Sequence, residues 1–266
     1  MFDWMIFEPA EYYHQQSKSG NCISSHLLSD FRRNPLLYSK KIKGLISEKP
    51  NTAYAIGSAA HKLILEGQDA FNAEYAVADG PVNPSTGKTY GADTQKFKQW
   101  AANYDCEVIN TADYGLIVKM AYSVKENAEA QLLLSKGVAE GVVRCELEGV
   151  PCQIRMDWFN PECGIVDLKT TADIEFFESD CRRLNYIYQL AFYRSVLRKV
   201  TGKTYPVHIL AVEKVEPFTS GVWLLTEEVL DLAEVANTAA LKKLRECRES
   251  GIFPTGYERK RIIDRL

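Results

Sequence analysis

The chain has 266 residues, of which 46% are hydrophobic, 25% charged and 11% aromatic, and its formal net charge is −3. This is the composition of an ordinary globular protein, and it excludes the disordered, collagenous and coiled-coil classes. No apolar run approaches the roughly 18 residues of a membrane span, and residues 1–11 lack the basic start and long apolar stretch of a signal peptide. We therefore expect a cytoplasmic protein, without membrane contact, that has enough apolar residues for a substantial core.

The first half of the sequence predicts helices. Ser24 or Ser25 is expected to cap the first one, which ends near Asn34 because the residue before a proline disfavours the helical conformation. A second helix, rich in alanine, is predicted over 52–66 and ends at the glycine that follows. The glycines and prolines of 80–91 predict an exposed loop. Two further helices are predicted over 94–103 and 112–134.

The second half of the sequence predicts an α/β core. Three short β-rich segments with tight connections are typical of an antiparallel meander, over 142–147, 151–159 and 164–169. The rest is predicted as a helix, two strands and an amphipathic helix, over 182–200, 207–212, 221–225 and 227–249. We interpret the chain as one domain over 1–266, made of a mainly helical part, an α/β core and a basic tail, over 1–136, 137–250 and 251–266.

Two segments are basic and contain no acidic residue, although the chain as a whole is acidic. They span 31–43 and 181–203. The plain interpretation is that they form two solvated helix faces. The alternative is that they hold DNA locally, while acidic residues bind metal ions or face outward.

Several chemistries are excluded by missing motifs. The cysteines number seven and include no C-x-x-C pair, so no zinc or iron–sulfur ligand set is present, and we interpret them as reduced thiols. Gly87-Lys88-Thr89 lacks the glycine spacing and the leading strand of a phosphate-binding loop, which excludes a nucleoside triphosphatase. Neither the serine-hydrolase nor the zinc-protease signature occurs.

The most informative segment joins Asp157 to the sequence 167–169. Alternate residues of a strand share a face, so Asp167 and Lys169 project together while Val166 and Leu168 point into the core. A meander places Asp157 beside Asp167, and two such carboxylates are relieved by protonation or by a divalent cation. With the lysine, they supply hard ligands for Mg²⁺, an activated water and a stabilising charge for phosphodiester hydrolysis. The alternative for Asp-x-Lys is a surface salt bridge.

Two further sets of residues accompany this segment. Gln189 and Tyr193 share a helix face, where Gln189 can hold a phosphate, a water or Lys169. Tyr193 either donates to a phosphate or packs in the core. His61 lies on a helix face of small residues that allows close approach of a ligand, and imidazole is a metal ligand. The alternative for His61 is a satisfied, partly buried histidine.

These motifs together resemble the PD-(D/E)XK nuclease superfamily. The ordered set is Gly57-x3-His61-x3-Leu65-Glu66, Asp157, Asp167-Leu168-Lys169-Thr170 and Gln189-x3-Tyr193. Over residues 23–200 it is most similar to prophage exonucleases of the exonuclease VIII (RecE) type, which are related to lambda exonuclease and the RecB nuclease domain. The resemblance implies an α/β fold with a central mixed sheet flanked by helices. The chain departs from the commoner pattern by having Asp-x-Lys instead of Glu-x-Lys, and it lacks the iron–sulfur cysteines of some relatives.

The resemblance also implies roles for individual residues. The expected ligands of Mg²⁺, with Mn²⁺ as a substitute, are His61, Asp157, Asp167 and the carbonyl of Leu168. Lys169 activates water and stabilises the pentavalent phosphate, while Gln189 and Tyr193 position Lys169 and the DNA backbone. No nucleotide and no iron–sulfur cluster is expected. Apart from the resemblance, the helix that opens at Ser24-Ser25 and carries Arg32 and Arg33 is predicted to anchor the 5′ phosphate or the DNA backbone, because a helix start favours anions. The predicted DNA contacts are Ser25, Arg32, Arg33, Thr170, Arg182 and Arg183.

Relatives of this kind degrade one strand of linear double-stranded DNA from its 5′ end and leave a 3′ overhang for phage-type recombination. They form closed rings, trimers or tetramers, and hand the single strand to an annealing protein. In such a ring, the two basic segments are expected to line a central channel. Two alternatives stay open, a structure-specific or restriction-type endonuclease on the same core and a non-catalytic DNA-end-binding or annealing module.

Overall fold

The computed structural model describes residues 2–46 and 53–262, and its first half is mainly helical. In chain order the helices are α1 (Ala10–Lys18), α2 (Ser25–Arg33), α3 (Pro35–Ile42), α4 (Ala53–His61), α5 (Gly67–Glu74), α6 (Gln95–Ala101), α7 (Thr111–Glu126) and α8 (Ala128–Leu134). One wider, π-helical turn, Lys62–Glu66, joins α4 to α5. Two short strands, β1 (Tyr75–Val77) and β2 (Glu107–Ile109), pair in parallel.

The second half forms a five-stranded mixed sheet with three helices. The strands are β3 (Val138–Leu147), β4 (Val150–Asn160), β5 (Gly164–Thr171), β6 (Val207–Glu213) and β7 (Ser220–Leu224). The helices are α9 (Phe177–Arg183), α10 (Tyr186–Thr201) and α11 (Glu227–Ser250). The strands lie side by side in chain order, and all neighbours are antiparallel except β5 and β6, which α9 and α10 connect. The predicted mixed α/β fold is therefore confirmed.

Helices cover both faces of the sheet and bury two apolar clusters. One cluster includes Leu28 of α2, Phe192 of α10 and Ile165 of β5. The other contains Met120 of α7 together with Val166 and Leu168 of β5. Each fully buried side chain of this size contributes roughly 1.5–3 kcal/mol to stability. The alternation along β5 thus fixes its polar residues on the face toward α10.

Asparagine and serine side chains set the helix ends that position the site. Ser24 caps α2, since its Oγ accepts a hydrogen bond from Leu27 N at 3.4 Å. The helix ends before Asn34, as predicted, and Asn34 then caps α3 by accepting from Leu37 N at 3.0 Å. Proline in the first turn of α3 costs no hydrogen bond, because that N–H has no helical partner.

Three predicted helix boundaries are wrong. The predicted helix over 112–134 is two helices, because Asn127 caps α8 through a hydrogen bond from Ala130 N. The one over 182–200 is interrupted before Asn185, which has a left-handed backbone (φ 63°). The one over 52–66 does not end at the glycine that follows, because α5 begins there, and residue 52 lies outside the described residues.

Several elements of the structure were not predicted from the sequence. The helices α1, α3, α5 and, except for its last two residues, α9 were not predicted, nor were the strands β1 and β2. In 2–46 and 53–262, no helix is long and apolar enough to cross a membrane. The division into one domain with a basic tail stays a prediction, and residues 263–266 of that tail lie outside the described chain.

The second basic segment is partly neutralised by α11. Arg194 is buried and pairs with Glu234 Oε1 at 2.7 Å and also with Asp231. Arg198 pairs with the other oxygen of Glu234 at 2.7 Å. Arg194 therefore holds α10 against α11 instead of offering its charge to DNA, whereas Arg198 stays exposed.

Candidate active site

The strands β4 and β5 separate at the two predicted aspartates. Their paired residues run from Asn160 and Gly164 to Trp158 and Val166, and the pairing stops there. One residue further on, Asp157 Oδ2 accepts a hydrogen bond from Leu168 N at 2.9 Å. The Asp157 carboxylate thus accepts the hydrogen bond that a backbone carbonyl of β4 would accept in a continuous ladder. It lies as a wedge between the two strands, close to Asp167 on β5.

Asp167 and Lys169 form a close ion pair at this junction. Lys169 Nζ lies 2.6 Å from Asp167 Oδ2, and the two side chains are only 16% and 1% exposed. That carboxylate oxygen receives no well-aligned hydrogen bond, so the attraction of opposite charges dominates the contact. The ring of Tyr186 lies 4.7 Å from the same ammonium. The three residues that the sequence singled out for hydrolysis are thus brought together.

Charge and burial compete over these groups. Burial raises the pKa of Asp157 and of Asp167, against the lowering effect of Lys169. Burial also lowers the pKa of Lys169, but Asp167 and Asp157 outweigh it and raise that pKa above its ordinary value. The lysine therefore stays charged and occupies the position at which it neutralises the acids.

His61 approaches the same carboxylate from the end of α4. Its Nδ1 lies 3.6 Å from Asp157 Oδ2. Burial and then the charge of Lys169 lower the pKa of His61 to about 4, partly opposed by Asp167 and by hydrogen bonding to the Leu168 backbone. The imidazole is neutral near pH 7, which leaves a nitrogen lone pair for a metal ion.

The lowered pKa of His61 predicts a specific loss of stability in acid. Between the ordinary pKa of 6.5 and the folded value of about 4, the unfolded chain binds a proton that the folded chain does not. The free energy of unfolding should therefore fall as pH drops through this window. His61→Gln should lose less stability than the wild type in urea unfolding with EDTA, compared at about pH 7 and about pH 5. An equal loss in both proteins would contradict the assignment.

The donor set suits a divalent cation, although the side chains are not arranged for one. Among the described residues, no three His, Cys, Asp or Glu side chains are grouped closely enough to hold a metal ion. Carboxylates and a neutral imidazole are nevertheless suitable ligands, and the buried Asp167 Oδ2 has no aligned donor. Since Lys169 lies against that oxygen, cation binding requires its flexible stem to move the ammonium away.

Gln189 and Tyr193 contact the acid side of the site. Gln189 Nε2 lies 3.3 Å from both Asp167 Oδ1 and Tyr193 Oη, so it orients Asp167 and does not touch Lys169. Tyr193 is only 5% exposed and belongs to the core cluster on that face of the sheet. The structure thus favours the packing alternative for Tyr193 over a direct contact with DNA.

A cleft opens beside the site between α2 and the start of α10. It is lined by residues that include Ser25, His26, Arg32, Tyr186, Tyr188, Gln189 and Asn237. Ser25 is buried and its Oγ has no hydrogen-bond partner. Arg32 stacks 3.8 Å above the Tyr188 ring and donates to Asn237 Oδ1 at 2.8 Å. The cleft therefore combines a helix start, a free hydroxyl and a fixed cation.

The other predicted DNA contacts lie outside this cleft. Arg33 and Arg182 are exposed, and Arg183 pairs with Asp180 at 2.8 Å. Thr170 lies beneath α4, where a Cβ on Gly57 would come 3.6 Å from its Oγ1. The small residues of α4 therefore serve its packing on β5.

Two charged residues near the site were missed by the sequence reasoning. Arg155 lies two residues before Asp157 on β4, and its Nε contacts Glu140 Oε2 of β3. Glu140 falls opposite Asp157 in the strand register and has a left-handed backbone (φ 60°). Burial, and then the charge of Asp157, raise the pKa of Glu140 to about 7. The two-residue spacing to Asp157 is a signal for Arg155, whereas no sequence signal marks Glu140.

The mixed sheet and this arrangement define the class of the protein. Two acids on neighbouring strands, a lysine two residues after the second and a histidine on the preceding helix are the pattern of PD-(D/E)XK nuclease domains. Residues 24–264 match the family model described as a PDDEXK-like domain of unknown function, DUF3799, and the chain belongs to that family. The resemblance found in the sequence is thereby confirmed. Domains of this class generally use divalent metal ions.

Two solved structures are similar to this chain. A candidate exonuclease from Eubacterium rectale has a TM-score of 0.70 and 17% identity, over 98% of this chain and 96% of that one. A phage-related exonuclease from Haemophilus somnus 129PT has a TM-score of 0.36 and 13% identity, over 86% of this chain and 96% of that one. The first similarity shows the shared fold. No curated protein matches the sequence significantly.

Proposed function

We propose that the protein is a divalent-metal-dependent deoxyribonuclease that degrades one strand of linear duplex DNA from its 5′ end. The observation that carries this proposal is the convergence of Asp157, Asp167 and Lys169 where β4 and β5 separate. The direction of digestion, which leaves a 3′ overhang, rests on the resemblance of the motif set to RecE-type exonucleases. The description of the similar Eubacterium rectale protein as a candidate exonuclease supports the same activity.

The proposed chemistry divides the work among the residues of the site. Mg²⁺, with Mn²⁺ as a substitute, would be held by His61, Asp157, Asp167 and the Leu168 carbonyl, and would supply a Lewis acid for water and phosphate. Lys169, once released from Asp167, donates to the phosphate and stabilises the charge that grows on it. Gln189 keeps Asp167 oriented through its other oxygen. A water oxygen bonds to phosphorus and gives its proton to solvent as the P–O3′ bond breaks, and the leaving 3′ oxygen takes a proton from solvent.

A digestion assay tests the proposed activity. Linear duplex with 5′ phosphates should be degraded in Mg²⁺, closed circular duplex should persist, and EDTA should abolish the reaction. Labels at the 5′ and the 3′ end give the direction of digestion. Cutting of circles would instead identify an endonuclease, and binding without cutting would identify a DNA-end-binding module.

The proposed exonuclease acts as a ring of identical subunits, a trimer or tetramer, that encloses DNA. It passes the single strand to an annealing protein in phage-type recombination. Ring closure explains how a chain of net charge −3 holds DNA, since topology replaces tight binding. Native mass spectrometry measures the subunit number, and a monomer that digests DNA processively would contradict the ring.

The cleft at the start of α2 is the proposed site of the terminal 5′ phosphate. One side of α2 forms a wall of the cleft from Ser25 in its first turn to Arg32 in its last, and Ser25 contributes an unpartnered hydroxyl that can donate to a phosphate oxygen. Arg32 adds a positive charge that Tyr188 and Asn237 hold in place. The cleft also borders Gln189, which connects the phosphate to the catalytic residues.

Arg32→Gln is expected to remove most of the preference for 5′-phosphorylated over 5′-hydroxyl ends. Hydrogen bonds to charged groups contribute roughly 1.5–3 kcal/mol, so the preference should fall at least about tenfold. The ratio of digestion rates on the two substrates measures it. Arg33→Gln is the matched comparison, because Arg33 is exposed outside the cleft, and it should leave the ratio unchanged. Equal ratios in all three proteins would contradict the phosphate site.

A further inference from the structure

Arg155 brings a positive charge to the edge of the catalytic centre. Arg155 lies two residues before Asp157 on β4, and its Nε contacts Glu140, whose neighbours on β3 pair with the residues on either side of Asp157. Its charge lowers the pKa of Asp157 and of His61, both of which burial shifts more strongly. It also lowers the pKa of His14 on α1, again after burial. Arg155 therefore lies within electrostatic reach of Asp157, His61 and His14.

The guanidinium of Arg155 has donors to spare. Its Nε contacts Glu140, and in the described part of the chain its two Nη groups make no hydrogen bond. The side chain is 21% exposed. An arginine presents five N–H donors in a planar fork that matches phosphate oxygens. Glu140 thus holds the Nε side of the guanidinium by an ion pair without an aligned hydrogen bond, and both Nη groups are available.

Arg144, on the adjacent strand β3, is an arginine whose side-chain nitrogens all have partners within the protein, and it serves as a comparison for Arg155. Its Nε donates to Gln153 Oε1 at 3.0 Å, its Nη1 donates to Glu8 at 2.9 Å, and its Nη2 also contacts Glu8. All three nitrogens of Arg144 are thus used within the protein. Arg155 has a similar exposure and differs in having free donors beside the acids.

We propose that Arg155 is a phosphate-binding residue for the DNA strand being cut, and that Glu140 positions it; this inference rests on the proposed nuclease function. The left-handed backbone of Glu140 is a costly conformation for a residue other than glycine, of order 1–3 kcal/mol. That conformation turns its carboxylate to Arg155 from a position opposite Asp157. The pair orients the guanidinium beside the phosphate that water attacks at the acids and Lys169.

Equilibrium DNA binding in EDTA tests the role of Arg155 without strand cutting. Loss of one phosphate contact should reduce the slope of log K against log salt by about 0.9 on duplex DNA. Arg155→Gln should show this reduction together with about tenfold weaker binding. Arg144→Gln, which removes an equal charge from the neighbouring strand, should retain the wild-type slope and affinity. Thermal melting checks that each variant is folded.

Neutral phosphates locate the contact. A duplex series with one methylphosphonate linkage, moved stepwise from the 5′ end, should reveal several linkages at which the wild type loses affinity, one of which is the linkage that Arg155 contacts. Arg155→Gln should be insensitive at that linkage and keep its sensitivity elsewhere. Arg155→Lys retains the charge but not the planar fork of donors. It should therefore keep the salt slope and bind DNA severalfold more weakly than the wild type. This variant tests the role of Arg155 if Arg155→Gln does not fold.

The outcomes separate this inference from the proposed function. An unchanged salt slope in Arg155→Gln, or the same loss in Arg144→Gln, would overturn the role of Arg155 while DNA cutting by the wild type stands. A wild-type protein that neither binds nor cuts DNA would overturn the proposed function, and the role of Arg155 with it.

Discussion

Replacing Lys169 with alanine is expected to reduce DNA hydrolysis by at least roughly 10²- to 10³-fold, the usual effect of removing one group that stabilises transition-state charge. DNA binding should be largely retained, because one contact is lost among many. The reason is the position of the Lys169 ammonium. Its Nζ lies 2.6 Å from Asp167 Oδ2, and it also interacts electrostatically with Asp157. No other lysine among the described residues pairs with Asp167, so none can substitute for it.

The Lys169→Ala variant also leaves a buried carboxylate without its partner, and breaking a buried pair costs roughly 3–5 kcal/mol. Lys169→Arg separates stability from catalysis, since it keeps the charge but changes the donor geometry. Both variants should be inactive in single-turnover digestion, whereas only the alanine variant should melt markedly earlier. Lys136→Ala, which removes an exposed pair with Glu162, is the control and should match the wild type. Retained turnover in Lys169→Arg would refute the role of the amine as a positioned donor.

Local periodicity was sufficient to predict the frame of the site. The alternation of Val166 and Leu168 with Asp167 and Lys169 gave the correct faces of β5, because a strand has a fixed period of two. The predicted helix boundaries were wrong where a side-chain hydrogen bond ends a helix inside an apolar periodic pattern. Asn127 lies in an apolar helical pattern, yet its side chain caps the next helix and interrupts the first. Such competition depends on local hydrogen bonds that apolar spacing does not report.

The functional charges were less predictable, because their roles depend on partners that are remote in sequence. Arg32 and Arg33 are neighbours, but only Arg32 reaches the cleft, through Asn237 of α11. Arg194 belongs to the second basic segment of the sequence, but in the structure its side chain is buried and paired with Glu234. Glu140 meets Asp157 only through the register of β3 and β4. Identifying these contacts requires the tertiary fold, whereas the Asp-x-Lys spacing is readable in the strand itself.

Asp157→Asn is expected to weaken binding of Mg²⁺ or Mn²⁺ by at least the roughly 10- to 100-fold typical even for residues that only support metal ligands. The asparagine oxygen can still accept the hydrogen bond from Leu168 N that Asp157 accepts now. The fold around the junction should therefore survive while the charge is lost. Isothermal titration of the metal ion into the apoprotein measures the affinity, and thermal melting in EDTA measures the stability.

Asp157→Ala removes the charge and the acceptor together, so it should lose metal affinity to a similar degree and also stability. An unsatisfied buried N–H costs roughly 1–3 kcal/mol, and the melting temperature of the alanine variant should fall below that of the asparagine variant. Asp79→Asn provides the control, because Asp79 also accepts a backbone hydrogen bond, from Thr111 N at 2.7 Å, but at an exposed site. Its metal affinity should equal that of the wild type. If Asp157→Asn binds metal as tightly as the wild type, Asp157 is a structural wedge between β4 and β5, and the cation must be held by other groups.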